Sequence, residues 1–216
     1  MSKKVGVIGS GVVGQVLAAG FRKHGYDVMI GSRHPAALQA WQGAAGEGVA
    51  LGLNAETAAF ADIIVLAVNG RAAEEAIALA GIDNLAGKIV IDATNPIEAA
   101  PPVKGILQFF TGPNDSLMER LQKQAPAARF VKAWSSVGNA FMVNPAFAGG
   151  PPTMFICGDD AAAKAEVTAI LDQFGWEAED IGAVEGARAI EPLCQLWCAP
   201  GLQRGQWTHA FKLLKR

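Results

Sequence analysis

Gly9-Ser10-Gly11-Val12-Val13-Gly14 and Ser32-Arg33 are the residues of this sequence whose types and spacing suit chemistry, and that chemistry is the holding of phosphate. A G-x-G-x-x-G turn clears side chains from the path of a pyrophosphate. It also ends in the free N–H groups of a helix N-terminus, where the helix dipole favours negative charge. Gly9 allows the tight turn, Gly11 lets backbone approach the pyrophosphate, and Gly14 lets helix and strand pack closely. The motif has this meaning only between a strand and a helix. Val5, Val7 and Ile8 supply the first, a β-branched run of the kind buried on both faces. Val13, Val16, Leu17 and Gly20 supply the second, one helical face that stops near Gly25. Asp27 to Ile30 then reads as a second strand, ending at Gly31-Ser32-Arg33.

The end of that second strand selects the dinucleotide. An NAD site expects Asp or Glu there, bonded to the ribose hydroxyls. This sequence has Ser32 and Arg33 and no acid until Glu47. Arg33 can fork two N–H bonds onto a 2′-phosphate, and Ser32 can donate another. A carboxylate would repel that phosphate, so its absence counts as much as the arginine. The expected cofactor is NADP(H).

Composition removes several other classes. The chain has 216 residues, 51% of them apolar, and a net charge of −2, the profile of a globular protein with one sizeable core. Nothing is basic enough for nucleic acid. Cys157, Cys194 and Cys198 form no C-x-x-C pair and have no neighbouring His, so neither disulfides nor a metal site is expected. Lys3-Lys4 and the uncharged run to Phe21 mimic a signal peptide, but Gly6, Gly9, Gly11 and Gly14 interrupt the run. A spanning helix needs about 20 apolar residues without such breaks. The region reads as a buried strand and turn in a cytoplasmic protein, with no membrane segment.

The elements that must position the phosphate residues follow in order. Ala36 to Gln42 reads as a short helix, Val49 to Leu51 as a third strand, and Asn54 as the N-cap of a helix through Phe60. Ile63 to Val68 is the strongest strand signal, and Arg71 to Leu79 is an alanine-rich helix. Lys88 to Ala93 is a buried strand, 97–114 an irregular stretch, Ser116 to Gln124 a helix and Arg129 to Trp134 a strand. Thr153 to Cys157, a helix through Phe174 and Glu177 to Ile181 follow. From Glu185 the pattern is helical, interrupted at Pro192 and Pro200-Gly201.

Strands alternating with such helices imply an α/β, Rossmann-type doubly wound and mainly parallel sheet, with a small carboxyl-terminal helical segment. Residues 1–184 are the expected dinucleotide-binding part and 185–216 the helical segment. In such sheets the ligand lies at the carboxyl ends of the strands. That aligns Gly9 to Val13, Ser32-Arg33, Val68-Asn69, Thr94-Asn95 and Ser135-Ser136 along one crevice.

With those residues assembled, the chain resembles the NADP-dependent oxidoreductases typified by archaeal deazaflavin (coenzyme F-420):NADP oxidoreductase. It is also similar to the cytosolic domain of six-transmembrane metalloreductases. The resemblance rests on Val7-Ile8-Gly9-Ser10-Gly11 with Gly14, Gly31-Ser32-Arg33, Asp62 to Val68, Lys88 to Asp92 and Cys157-Gly158-Asp159-Asp160. It implies cofactor contacts at Ser10, Gly11, Val12 and Val13, the 2′-phosphate pair Ser32-Arg33, and nicotinamide-side contacts near Val68, Asn69, Asn95 and Gly138. Where many relatives read Phe-Asn-Thr after Lys-Ala, this sequence has Trp134-Ser135-Ser136, in the place where a second substrate should stack.

The chemistry expected of such a site belongs to the cofactor, with protein supplying position. A small planar redox acceptor, a flavin or deazaflavin, would lie on the nicotinamide and gain its protons from solvent, so no catalytic side chain is assigned. His24, His34 and His209 read as surface or packing histidines. Two other readings stay open: a small-substrate dehydrogenase or imine-type reductase, and a non-catalytic NADP sensor. Ile190, Leu193, Cys194 and Trp197 make one helical stripe, and Trp207, Phe211 and Leu214 a second. These stripes either close over the chain's own sheet edge or pack against a second copy, and a homodimer that walls the acceptor pocket is the expectation.

Overall fold

Val5, Val7 and Ile8 are fully buried, which places β1 (Lys4–Ile8) in the middle of a sheet whose two faces are both covered. The computed structural model describes residues 2–216, and Met1, the first residue of the expected dinucleotide-binding part, lies outside them. After β1 the chain forms α1 (Val12–Lys23), β2 (Asp27–Gly31), a 3₁₀ turn, α2 (Gln39–Ala44), β3 (Ala50–Gly52), α3 (Asn54–Phe60) and β4 (Ile63–Leu66). A second 3₁₀ turn leads into α4 (Ala73–Ala80), α5 (Ile82–Leu85), β5 (Ile89–Asp92), α6 (Leu117–Gln124) and β6 (Arg129–Lys132). The remainder is β7 (Thr153–Ile156), α7 (Ala161–Gln173), β8 (Glu177–Asp180), α8 (Ala187–Ile190) and α9 (Pro192–Arg204).

Six strands pair in the order β3-β2-β1-β4-β5-β6, every pair parallel. Strand order reverses between β1 and β4, and the crevice above that switch point is where such sheets take dinucleotides. Side chains alternate as the pleat requires. Ile63 and Val65 join the core under α1 and α7, while Ile64 and Leu66 join the core under α4 and α6.

Several elements differ from the sequence expectation. β7 and β8 do not extend the main sheet. They form a separate two-stranded parallel sheet, tied to it by one antiparallel bridge in which Lys132 N–H donates to the Cys157 carbonyl at 3.0 Å. β6 stops at Lys132 rather than Trp134 because Trp134 takes a left-handed φ of 58°, which no strand accommodates. β4 stops at Leu66, freeing Ala67 and Val68 to turn over the crevice. α3 is capped at Leu53 rather than Asn54, with the Glu56 carboxylate accepting the Leu53 N–H at 2.8 Å.

The carboxyl-terminal stretch departs most. Pro192 occupies the first turn of α9, where a missing N–H costs nothing, and Pro200 lies inside the helix without ending it. The helix closes at Gly205, with φ 68°. Residues 206–216 are not helical. Trp207 and His209 pack on α9, and beyond them the chain meets β7, with Thr153 N–H donating to the Phe211 carbonyl at 2.8 Å and Leu213 N–H to Thr153 Oγ1 at 3.0 Å. The stripe Ile190, Cys194 and Trp197 is buried within this same chain, at 1%, 5% and 6% exposure, so it packs at home and not on a partner. No helix among the described residues is long and apolar enough to cross a membrane.

Candidate functional site

The glycine turn is built by close approach. Gly9 sits at φ 128°, and a Cβ there would lie 2.2 Å from the Ala67 carbonyl oxygen. A Cβ on Gly14 would lie 1.8 Å from the Gly9 carbonyl oxygen, so α1 can meet the turn only with glycine at that position. Gly11 is the opposite case: its Cβ position meets nothing within 4 Å. Gly11 is also the N-cap of α1, with no side-chain cap and no acid in the first turn. The unpaired N–H groups and positive end of the helix dipole therefore face open space.

That space is a cavity of about 260 Å³, and it brings Gly9, Ser10, Gly11, Ser32, Arg33, Val68 and Asn69 together. Ser32 is buried, its Oγ accepts the His34 N–H at 3.0 Å, and it reaches Ser10 Oγ at 3.3 Å. Arg33 is exposed at the rim and forms no ion pair among the described residues. Asn69 Oδ1 accepts the Arg71 N–H at 3.0 Å, which starts the turn into α4. Gly31 and Ala67 join them, and Asn54, Ala72, Glu75, Ala76 and Leu79 complete the lining. Sequence reasoning missed these five, because they come from the first turn of α3, the 3₁₀ turn before α4 and one face of α4, elements read only as scaffold.

Other expected residues stand apart from this cavity. Val12 is exposed at the head of α1, Val13 is half-buried, and Gly14 lies buried beneath the turn as a packing residue. Asn95 and Gly138 lie beyond the lining, at the carboxyl ends of β5 and β6. There Asn95 Nδ2 donates to the Ser135 carbonyl at 2.8 Å, while Asn95 Oδ1 and Ser135 Oγ are buried without a protein partner among the described residues. Unsatisfied buried polar atoms are costly, and two side by side mark a place suited to a polar ligand group. Trp134 is not part of that place. Its ring is 1% exposed and packs on Phe21 and Phe174 under α1, so it cannot stack a substrate.

Beneath the same loops lies a buried ionic triad that the sequence reading did not identify. Lys132 Nζ donates to Asp92 Oδ2 at 2.9 Å, to Glu191 Oε1 at 2.8 Å and to the Thr94 carbonyl at 2.8 Å. Asp92 Oδ1 accepts the Thr94 N–H and hydroxyl, at 2.9 and 2.6 Å. Glu191 accepts the Leu117 and Met118 N–H groups and so caps α6. Burial opposes the Lys132 charge, but Asp92 and Glu191 outweigh it and hold the ammonium above the ordinary lysine range. A readable signal existed: Asp92 and Lys132 are charges inside runs that pattern as doubly buried strands.

Two of the three histidines are packing elements. His24 bonds Asn144 Oδ1 at 3.1 Å and stacks on Phe174, and His209 stacks on Trp197. Burial pushes the Cys157 thiol up to about 12, making it inert. No cluster of three metal-ligating side chains occurs among the described residues.

A six-stranded parallel sheet with a glycine turn at its switch point and an arginine at the second strand defines the NADP-dependent oxidoreductase class. The family model described as NADP oxidoreductase, coenzyme F420-dependent, matches residues 4–96. A crystal structure of a candidate F420-dependent NADP-reductase from Arthrobacter sp. FB24 is 33% identical, covers all of both chains and superposes with a TM-score of 0.91. The chain belongs to this family of F420-dependent NADP oxidoreductases. Metalloreductase STEAP3 of Rattus norvegicus is 30% identical over 190 residues, which are 88% of this chain and 36% of that protein, so the chain spans about a third of that relative's length. A reductive aminase from Aspergillus terreus, crystallised with NADPH, is 19% identical with a TM-score of 0.67 over 95% of this chain and 64% of its own, a likeness of fold alone.

Proposed function

We propose that this oxidoreductase transfers a hydride between NADPH and a flat redox acceptor of the flavin or deazaflavin class. The observation that carries the reading is Arg33 at the rim of the cavity, beside Ser32 and across from an uncapped helix N-terminus with open space over Gly11. NADPH, when bound, supplies the hydride. The N–H groups of the turn and of α1 at Ser10 to Val13 hold its pyrophosphate, and Ser32 and Arg33 hold the 2′-phosphate. Val68 and Asn69 bridge to the β5 and β6 ends, where Asn95 and Gly138 flank the nicotinamide. Residues 185–216 act as a separate segment walling the acceptor end of the part formed by 1–184. Three free thiols suit a reducing compartment, and we place the protein in the cytoplasm.

The test is NADPH consumption against deazaflavin, riboflavin, FMN, FAD, quinones and ferric chelates. Rapid oxidation with a flavin or deazaflavin supports the reading. Tight NADPH binding without oxidation by any acceptor would leave the protein a sensor.

Gly11→Val checks the phosphate site separately. The branched side chain has room in the protein but occupies the space meant for pyrophosphate. NADPH affinity should fall by at least about tenfold, or 1.4 kcal/mol, with thermal unfolding unchanged. Undiminished affinity in the folded variant would place the phosphates elsewhere.

We also propose a two-fold homodimer, now on a different face. Leu196 and Leu202 of α9 are exposed, and so are Val103 and Ile106 of the hairpin lying along it, where Gln195 reaches the Leu107 carbonyl at 2.7 Å. Light scattering should give twice the chain mass, and Leu196→Asp should halve it. A monomeric mass for the unaltered protein would remove the dimer.

A further inference from the structure

Asn54 begins α3, where an asparagine ordinarily spends its side-chain oxygen on a free helix N–H. Here the Glu56 carboxylate accepts the Leu53 N–H at 2.8 Å, and the Asn54 side chain takes no part in the cap. The groups around it are bonded elsewhere. Ser32 N–H donates to the Gly52 carbonyl at 3.0 Å, and His34 N–H to Ser32 Oγ at 3.0 Å. The Asn54 amide joins none of these bonds and has no hydrogen-bond partner among the described residues. The residue is only 9% exposed, and it lines the cavity together with Ser32 and Arg33. A buried amide left unbonded is costly, and the cavity is the side from which a polar partner can reach it.

The end of β2 sets its direction. A Cβ on Gly31 would lie 3.1 Å from Asn54 Oδ1 and 2.9 Å from Thr57 Oγ1, so both side chains crowd the residue just before Ser32-Arg33. Thr57 Oγ1, one turn further along α3, is itself buried without a partner. With the oxygen end turned to Gly31, the Nδ2 hydrogens are the donors left for the cavity. The lining also divides by chemistry. Ala72, Ala76 and Leu79 form an apolar wall suited to the base of the cofactor, and Glu75 adds a carboxylate to that wall. Ser32, Arg33 and Asn54 form a corner of donors without an acid.

We propose that Asn54 is a specificity-determining residue for NADPH, its amide donating to the 2′-phosphate beside Ser32 and Arg33. The inference rests on reading Ser32-Arg33 as the 2′-phosphate site. A neutral amide supplies hydrogens where a carboxylate would repel the phosphate, so Asn54 acts in the same sense as the missing acid on β2. The hydroxyl that NADH carries there is neutral and gains about half as much from the same donor.

The test uses the intact chain with Asn54→Ala and Asn54→Asp. Affinities for NADPH and NADH are read from dihydronicotinamide fluorescence. Those for adenosine 2′,5′-bisphosphate and 5′-AMP are read by competition against NADPH, and thermal unfolding reports on the fold. Asn54→Ala should weaken NADPH and the bisphosphate by about tenfold, while NADH and 5′-AMP stay within about threefold. Asn54→Asp keeps the shape and adds a negative charge, so it should weaken the two 2′-phosphorylated ligands further and spare the other two. An equal fall for all four ligands would put Asn54 against the base or the ribose, and unmoved affinities would leave it no ligand; either result overturns the proposal. Should Asn54→Ala fail to fold, the near-isosteric Asn54→Asp decides. An unaltered protein that does not prefer NADPH to NADH would overturn this proposal and the 2′-phosphate site together. A preference removed by Arg33→Glu but kept by both Asn54 variants would overturn this proposal alone.

Discussion

Lys132→Met is expected to destabilise the protein by about 3–5 kcal/mol, because it removes the cation and leaves Asp92 and Glu191 buried without it. Lys132 and Asp92 are fully buried and Glu191 is 2% exposed, so water cannot replace the ammonium. Urea unfolding should show the midpoint falling at constant slope. The sign of the pH dependence follows from the direction of the shift. The folded-state pKa of Lys132 lies above its unfolded value, so its contribution is complete below the unfolded pKa near ~10.4 and is lost as pH rises through the higher folded value. The difference between the unaltered protein and Lys132→Met should thus hold steady from neutral pH up to that point and shrink above it. A loss under about 1 kcal/mol would show that the buried triad contributes no more than an exposed pair. Because Lys132 and Asp92 also hold Thr94, the loop that carries Asn95 should loosen with them.

Arg33→Glu should abolish most of the preference for NADPH over NADH. A charged hydrogen bond is worth roughly 1.5–3 kcal/mol, so the ratio of the two affinities should fall by about tenfold to a hundredfold. Arg33 is exposed and forms no ion pair among the described residues, so thermal stability should not change. Titration of both cofactors against both proteins reads the effect. Equal affinity of the unaltered protein for NADPH and NADH would sink the assignment of Arg33 to the 2′-phosphate.

Much of the fold was legible because its signals are local. β-branched runs at Val5 to Ile8, Ile63 to Leu66 and Ile89 to Ile91 leave little alternative to doubly covered strands, and their alternation with helices implies parallel crossovers. Gly9, Gly11 and Gly14 could be read with separate tasks because each task excludes a side chain for a different reason, and two of the three tasks are visible as close backbone approaches. The signals that misled were also local. The apolar spacing from Trp207 to Leu214 has helical period, yet those residues are not helical, with Trp207 packed on α9 and Phe211 and Leu213 bonded to Thr153 of β7. The Ile190–Trp197 stripe is equally apolar whether its cover comes from a partner or from its own chain. Trp134 read as a stacking platform because its position in the crevice loop was known and its direction was not.

What the amino-acid sequence by itself determined is the elements of the proposed phosphate half of the site: the turn, the strand that precedes it, the helix that receives it, and Ser32-Arg33 one strand away. These lie within a single βαβ unit, where spacing along the chain is spacing in the molecule. Only the tertiary structure decided what stands beyond it. Asn95 meets Ser135 across 40 residues, and Lys132 finds Asp92 and Glu191 across 40 and 59. Side-chain direction at such separations depends on how whole elements pack, and a one-dimensional pattern of apolar and polar residues does not encode it.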